Sequence, residues 1–206
     1  MEAKLNEHGA RPHVSAPLRD TGDARSSSVA ATAGATQAAL GHVRLLLVGV
    51  WLGAAMFFSF AVAPSAFAVL PARELAGAIV TRTIGIVNVG GVIIGLLLLA
   101  TAFAAKRAAT RRAWTLEVVA LALVVLATGV GHWVIGARMQ ALRLSMGRPI
   151  DELAASDPLR VAFNSLHGYS VAAMTTAMLA AIVAFILIAR RNKKSEVQSL
   201  ESKDIV

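Results

Sequence analysis

The stretch LLLVGVWLGAAMFFSFAVAPSAFAVL, from Leu45 to Leu70, decides the fold because it is long, apolar and free of charged residues. A helix needs about 20 mostly apolar residues to cross roughly 30 Å of hydrocarbon. Three later stretches also meet this condition, and only one of them contains a charged residue, the carboxylate Glu117. We therefore predict an all-α integral membrane four-helix bundle, with spans at about 45–70, 83–105, 114–136 and 166–189.

The composition supports a membrane location and argues against several other classes of protein. Of the 206 residues, 56% are hydrophobic and 16% are charged, whereas soluble domains are about 45–50% apolar and about a quarter charged. The chain contains no cysteine, which excludes thiol nucleophiles, iron–sulfur clusters, cysteine-based zinc sites and disulfides. Soluble enzyme folds, secreted disulfide scaffolds and disordered chains are therefore poor interpretations.

The distribution of Lys and Arg predicts the orientation in the membrane. Most of the 20 basic residues lie before the first span, between the second and third spans, or after the fourth. Because basic loops remain in the cytoplasm, we expect both termini to be cytoplasmic. The net charge of +8 then lies beside anionic lipid headgroups, and we expect no nucleic-acid partner. We expect the plasma membrane, or the inner membrane if the source is bacterial.

The regions outside the spans are polar. Residues 1–40 lack aromatic residues and are rich in Ala, Ser, Thr, Gly and charge, so we expect a disordered cytoplasmic segment. We assign residues 41–190 to the membrane domain and residues 191–206 to a polar cytoplasmic tail.

Prolines predict several helix boundaries. Pro64 lies inside the first span and predicts a kink, and Pro71 follows its end. Pro149 can start a helical turn. Asp157 followed by Pro158 is typical of an N-cap and a first helical position, so we expect the fourth helix to begin there.

Glycines at close-packing spacing indicate where helices approach one another. Gly49 and Gly53 form a G-x-x-x-G pattern in the first span, and Gly91 and Gly95 form another in the second. Small residues let helix backbones approach within a membrane. Packing within one bundle and homodimerisation both remain open at this stage.

Few polar groups in the spans are suited to chemistry. No charged residue lies near the centre of a span, which argues against a proton-coupled antiporter. We expect Glu117 to pair at the interface with Arg111 and Arg112. No serine triad or nucleotide-binding signature is present, and we expect that the protein is not an enzyme.

Two histidines near the outer ends of their spans are the candidate metal ligands. His132 and His167, with Asn88 nearby in depth, would lie close together if their helices adjoin. Two imidazoles on neighbouring helices can bind copper or another transition metal, or ligate haem. Interfacial hydrogen bonding is the other interpretation. We expect no cofactor, and haem or copper remain alternatives.

Two stretches of sequence carry a family resemblance. The first, His42–Gly77, contains GVWLG, FFSF, APSAF and LPAR; the second, Phe163–Ser170, reads FNSLHGYS. Together they resemble the transmembrane protein 205-like family, small four-span proteins with a domain of unknown function. The resemblance covers roughly residues 40–190 and implies a four-helix membrane domain without an established reaction. The polar positions that it matches are His42, Asn164, His167, Gly168 and Ser170.

The sequence thus favours a multi-pass membrane protein that acts through helix packing, oligomerisation or a membrane partner. Two alternatives remain open. One is a protein of small-solute or metal transport or tolerance. The other is a haem- or copper-binding redox protein that uses His132 and His167.

Overall fold

The regular elements of the chain are helical throughout the residues that the computed structural model describes, 21–104 and 110–201. In chain order they are α1 (Thr21–Phe57), a π-helical segment π1 (Phe58–Val62), α2 (Ala63–Val69), α3 (Arg73–Ala104), α4 (Arg111–Gly129), a second π-helical segment π2 (Val130–Gly136), α5 (Ala137–Met146), a 3-10 turn (Ile150–Glu152) and α6 (Pro158–Glu201).

Four helical stretches are long and apolar enough to cross a membrane, which confirms the predicted all-α four-span architecture. We call them spans 1 to 4; they are Gly34–Val69, Arg73–Phe103, Arg111–Met146 and Pro158–Val197. Each is longer than its predicted apolar stretch because the helix continues into polar flanks. Backbone hydrogen bonds within a helix do not depend on apolar side chains, so hydrophobicity alone does not mark the helix ends.

The chain divides into two units, Met1–Thr36 and Gln37–Val206. Of the segment predicted to be disordered, residues 1–20 lie outside the described residues, whereas residues 21–40 are helical. This difference has a simple local cause, since the segment is rich in alanine, the residue with the highest helix propensity. The predicted polar tail continues α6 as far as Glu201, and residues 202–206 lie outside the description.

The four spans form an up-and-down bundle in which sequence neighbours are antiparallel. Side chains from each span contact the next span, and span 4 returns to span 1. The pairs that join the spans are Trp51 with Val87, Trp114 with Ala102, Glu117 with Arg191, and Gly49 with Phe185. The termini of the membrane domain therefore lie at the same end of the bundle, which we call the terminal end.

Small side chains fill much of the core. Ala55 of span 1 and Ala177, Ala181 and Ala184 of span 4 are fully buried. Small residues let neighbouring backbones approach, so that van der Waals contact holds the helices together in lipid.

The predicted helix boundaries at Pro71, Pro149 and Asp157 are confirmed, whereas the kink at Pro64 stays a prediction. The α-helical hydrogen-bond pattern of span 1 is interrupted at π1, directly before Pro64, and α2 ends at Val69, before Pro71. Pro149 precedes the 3-10 turn. Asp157 Oδ1 accepts a hydrogen bond from the Leu159 amide at 2.8 Å, which caps α6.

The sequence predicted neither of the π-helical segments, and the second alters the direction of candidate site residues. π2 occupies residues 130–136, in the half of span 3 away from the terminal end. Its i→i+5 hydrogen bonds place one extra residue in the turn compared with an α-helix. The side chains of His132 and Ile135 therefore leave the helix at angles that regular α-helical periodicity does not predict.

Candidate functional site

A buried ionic cluster of three residues lies at the terminal end of the bundle. Arg44 of span 1 is 1% exposed and Glu117 of span 3 is 2% exposed. Arg44 Nη2 donates a hydrogen bond to Glu117 Oε1. Arg191 Nη1 of span 4 donates to Glu117 Oε2 at 2.8 Å. One carboxylate thus joins three of the four spans, and we call these three residues the Arg–Glu–Arg cluster.

Span 2 also contacts this cluster, through its backbone. Arg44 Nη2 lies 3.2 Å from the carbonyl oxygen of Leu98. Burial of an ion pair is favourable only when its geometry and hydrogen bonding offset the loss of hydration. Here both carboxylate oxygens accept from a guanidinium group, so the negative charge is well satisfied.

The predicted partners of Glu117 were wrong. The sequence suggested an interfacial pair with Arg111 and Arg112, which are close along the chain, but both are exposed in the structure. Arg111 begins α4 itself, whereas Glu117 points into the bundle toward spans 1 and 4. Tertiary packing, not chain proximity, selects its partners.

The cluster leaves several buried donors without an acceptor. Arg44 Nε and Nη1 and Asn192 Nδ2 are buried, and no described residue accepts a hydrogen bond from them. Asn192 lies directly over Gly41, where a Cβ atom would overlap with its side-chain oxygen. Gly41 precedes Arg44 by about one helical turn on the same face of α1. The unpaired donors therefore belong to one region of the seam between spans 1 and 4.

Spans 1, 2 and 3 approach one another closely nearer the middle of the bundle. A Cβ at Gly91 would lie 2.8 Å from Trp51 Nε1 and 2.7 Å from Thr128 Cγ2. Trp51 Nε1 donates to the carbonyl oxygen of Val87 at 2.9 Å. Only glycine at position 91 leaves room for this arrangement.

The glycines that the sequence singled out have different surroundings. A Cβ at Gly95 would lie 2.6 Å from Val125 Cγ2, and one at Gly49 would lie 3.4 Å from Phe185. Gly53 is exposed and has no atom within 4 Å of a Cβ position. Gly95 and Gly49 thus pack inside the bundle, whereas Gly53 faces outward.

His132 and Asn88 are neighbours, as the sequence suggested for their depth. Asn88 is 4% exposed, and its Nδ2 atom lies 3.3 Å from a Cβ position at Gly131. His132 is half-buried, contacts Gly85 of span 2, and packs edge-on against Trp133 with ring centroids 5.0 Å apart.

His167 lies elsewhere. It is exposed on α6, and the pairing of Arg143 with Phe163 sets the register of spans 3 and 4. In that register His167 lies roughly 10 Å further along the bundle than His132, at 1.5 Å per residue. No group of three or more His, Asp or Glu side chains suited to a metal ion occurs in the described part of the chain. Binding of copper or haem by this pair stays a prediction that the separation does not favour.

Two other matched positions of the FNSLHGYS stretch, Asn164 and Gly168, share this outward face. Asn164, His167 and Gly168 are exposed, whereas Ser170 is half-buried. A Cβ at Gly168 would have no atom within 4 Å. We call Asn164, His167 and Gly168 the outer α6 face. His42 is also exposed, but it lies in α1 at the terminal end of the bundle.

The end of the bundle opposite the termini is held by arginines. Arg143 Nη1 donates to Thr81 Oγ1 at 2.9 Å, and its guanidinium carbon lies 5.2 Å from the ring centre of Phe163. Arg160 Nη1 donates to the Leu153 carbonyl oxygen at 2.6 Å, which ties the loop to α6. These contacts join spans 2, 3 and 4 but leave the outer α6 face uncovered.

Sequence reasoning missed the Arg–Glu–Arg cluster, although a signal was present. Arg44 directly precedes one apolar stretch, Arg191 follows another, and Glu117 is the only carboxylate inside any of them. In a four-span bundle these three positions lie at the same end. The sequence indicates that these three charges lie at the same end of the bundle. It does not indicate which helices adjoin.

Residues 46–148, half of the chain, match a family model described as a domain of unknown function, DUF4149. The chain belongs to this family. The DUF4149 match covers most of span 1 and all of spans 2 and 3, with Glu117, Asn88 and His132, and it ends before α6. No curated protein and no solved structure matches the chain.

Proposed function

We propose that this multi-pass membrane protein acts by association in the membrane, without a reaction of its own, and that its partner is a second copy of the same chain. The observation that carries the proposal is the outward direction of the outer α6 face, Asn164, His167 and Gly168. His167 and Gly168 lie within the predicted fourth span, about 166–189, and polar side chains at membrane depth are costly when they face lipid, so such positions usually contact protein or water.

The chemistry of the outer α6 face suits a helix–helix contact. Gly168 has open space around its Cβ position, so a second backbone can approach closely there. Asn164 and His167 lie within one turn of it and offer hydrogen bonds across the contact. In a two-fold dimer the same residues of both copies meet, so this single patch supplies both sides of the interface.

The proposal includes the resemblance to the transmembrane protein 205-like family. The DUF4149 match covers most of His42–Gly77 but not the FNSLHGYS stretch, so the second half of the resemblance rests on the sequence alone. We further propose a plasma-membrane or bacterial inner-membrane location with both termini cytoplasmic. The excess of Lys and Arg at the terminal end supports this orientation.

Disulfide crosslinking tests the dimer, because the natural chain contains no cysteine. Gly168→Cys is expressed in membranes, oxidised, and analysed on a non-reducing gel. We expect a dimer band, since equivalent positions near a two-fold axis approach within disulfide distance. The matched control is Gln140→Cys, which is exposed at a similar level on span 3 and is expected to remain monomeric.

The pattern of crosslinks distinguishes a specific dimer from random collision and from a different partner. Equal dimer bands for both variants would indicate random collision in the membrane and would contradict the proposal. No band for Gly168→Cys or for Asn164→Cys would also contradict it. Crosslinking of Gly168→Cys to a different protein would replace the second copy with another membrane partner.

A further inference from the structure

A site distinct from the outer α6 face lies at the terminal end of the bundle, where buried donors exceed the available acceptors. Arg44 is 1% exposed, yet two of its three guanidinium nitrogens have no acceptor among the described residues. Asn192 Nδ2 is buried and unpaired in the same way. Buried polar groups in folded proteins almost always have a hydrogen-bond partner. These donors therefore need an acceptor that the described residues do not provide, and a bound ligand would supply it.

The charge balance of the same region specifies the kind of acceptor. Two guanidinium groups, Arg44 and Arg191, share the single carboxylate Glu117. The Arg–Glu–Arg cluster thus has one net positive charge, and an uncompensated buried charge is unfavourable. An anion with several acceptor oxygens would offset both the charge and the missing hydrogen bonds. Phosphate groups have this chemistry, and arginine binds them well.

The position of the cluster matches the level of lipid phosphates. Arg44 and Arg191 directly flank the apolar stretches of spans 1 and 4, where hydrocarbon gives way to headgroups. The nearby α6 residues Arg190, Lys193 and Lys194 are exposed and basic. Anionic headgroups are attracted to such segments by about 1 kcal/mol per basic residue.

An apolar groove begins at the same level. It runs along span 1 beside span 4 and is lined by His42, Leu45, Leu46, Gly49, Val50 and Phe185. Phe185 of the groove and Asn192 are seven residues apart on one face of α6, and Asn192 lies over Gly41 of span 1, so the groove and Asn192 belong to the same seam between spans 1 and 4. A single molecule with a phosphate at one end and a hydrocarbon chain at the other would fit both features.

We propose that Arg44, Arg191 and Asn192 form a binding site for the phosphate group of an anionic phospholipid, whose acyl chain lies in the groove beside span 1. Arg191 is partly accessible and contacts the phosphate first, because the Asn192 Nδ2 atom is itself buried. Arg44 lies behind them and supplies the buried charge. Glu117 keeps both guanidinium groups in position.

Lipid titration of the full chain in detergent tests the site. Native mass spectrometry counts bound phosphatidylglycerol, phosphatidylcholine and inorganic phosphate under identical conditions. We expect saturable binding of one phosphatidylglycerol, and weaker binding of zwitterionic phosphatidylcholine. Asn192→Ala should weaken phosphatidylglycerol binding about tenfold, because it removes one hydrogen bond to a charged group. Arg191→Gln should weaken it further.

The controls separate this site from a general basic surface. Arg190→Gln and Lys194→Gln each remove an exposed positive charge nearby and should weaken binding by no more than about fivefold, the effect of about 1 kcal/mol per exposed basic residue, which is less than the loss expected for Asn192→Ala. Without added lipid, Asn192→Ala should unfold at or above the wild-type temperature, because it removes a buried donor that lacks an acceptor. Loss of affinity in this variant therefore cannot reflect misfolding.

Three results would overturn the proposal. One is an equal loss of affinity in Arg190→Gln and Asn192→Ala, which would indicate a diffuse surface effect. Another is equal affinity for the two lipids, which would contradict the charge argument. The third is binding of inorganic phosphate as strong as that of phosphatidylglycerol, which would exclude a lipid as the source of the phosphate.

Discussion

Replacement of Glu117 by glutamine should strongly destabilise the bundle. The side chain is 2% exposed and accepts hydrogen bonds from Arg44 and Arg191. Glutamine keeps the size of the side chain but removes its negative charge, so two guanidinium groups face each other without compensation. Breaking a buried ion pair in this way costs about 3–5 kcal/mol.

The expected shift in melting temperature follows from this free energy. For chains of 150–250 residues, about 1 kcal/mol changes the midpoint by roughly 2–4 °C. The expected decrease in the unfolding midpoint is therefore roughly 6–20 °C. We expect the lower half of that range, because the Arg191 side chain is 15% exposed and can regain some hydration.

Thermal unfolding of the detergent-solubilised chain, followed by circular dichroism, measures the effect. The matched control is Glu152→Gln, an exposed carboxylate in the 3-10 turn, which should change stability by no more than about 0.5 kcal/mol. A triple variant, Arg44→Met with Glu117→Leu and Arg191→Met, should recover most of the loss, because apolar side chains of similar size avoid the burial of charge. An unchanged midpoint for Glu117→Gln would refute our account of the cluster.

Two further predictions concern packing and capping, and the same unfolding measurement checks both. Gly91→Ala should lower the free energy of unfolding by about 1–3 kcal/mol through overpacking, because its Cβ would lie 2.8 Å from Trp51 Nε1. The control Gly53→Ala, whose Cβ would have no atom within 4 Å, should not lower the unfolding midpoint. Equal losses in both variants would contradict the packing argument. Asp157→Ala should lower the free energy of unfolding by about 1 kcal/mol, because it removes the 2.8 Å hydrogen bond from the Leu159 amide that caps α6. Asp157→Asn keeps the acceptor and should retain stability. An equal loss in both variants would argue against capping.

The spans and the helix start at Asp157 were predictable because their causes are local. An apolar stretch such as Leu45–Leu70 needs no partner to identify it, since the thickness of the bilayer sets its length. The N-cap likewise depends on the side chain of Asp157 and an amide two residues later. Neither inference requires knowledge of which helices adjoin.

The candidate sites were less predictable because they depend on helix rotation. His167 lies in an apolar helix whose sequence does not reveal which side faces lipid, and it is exposed. Glu117 was expected to pair, but its partners lie 73 and 74 positions away along the chain. Chain proximity favoured Arg111 and Arg112, which are wrong, because only the packing of spans 1, 3 and 4 brings the true partners together.

The π-helical segment Val130–Gly136 has a consequence for comparisons with relatives. A helix with one additional residue in a turn behaves as though a residue had been inserted, and each residue of an α-helix accounts for about 100° of rotation. The two halves of span 3 therefore follow separate repeats, one before His132 and one after it. Relatives with an uninterrupted α-helix here should align with a one-residue gap beside this histidine, and their inward-facing positions match only when that gap is respected.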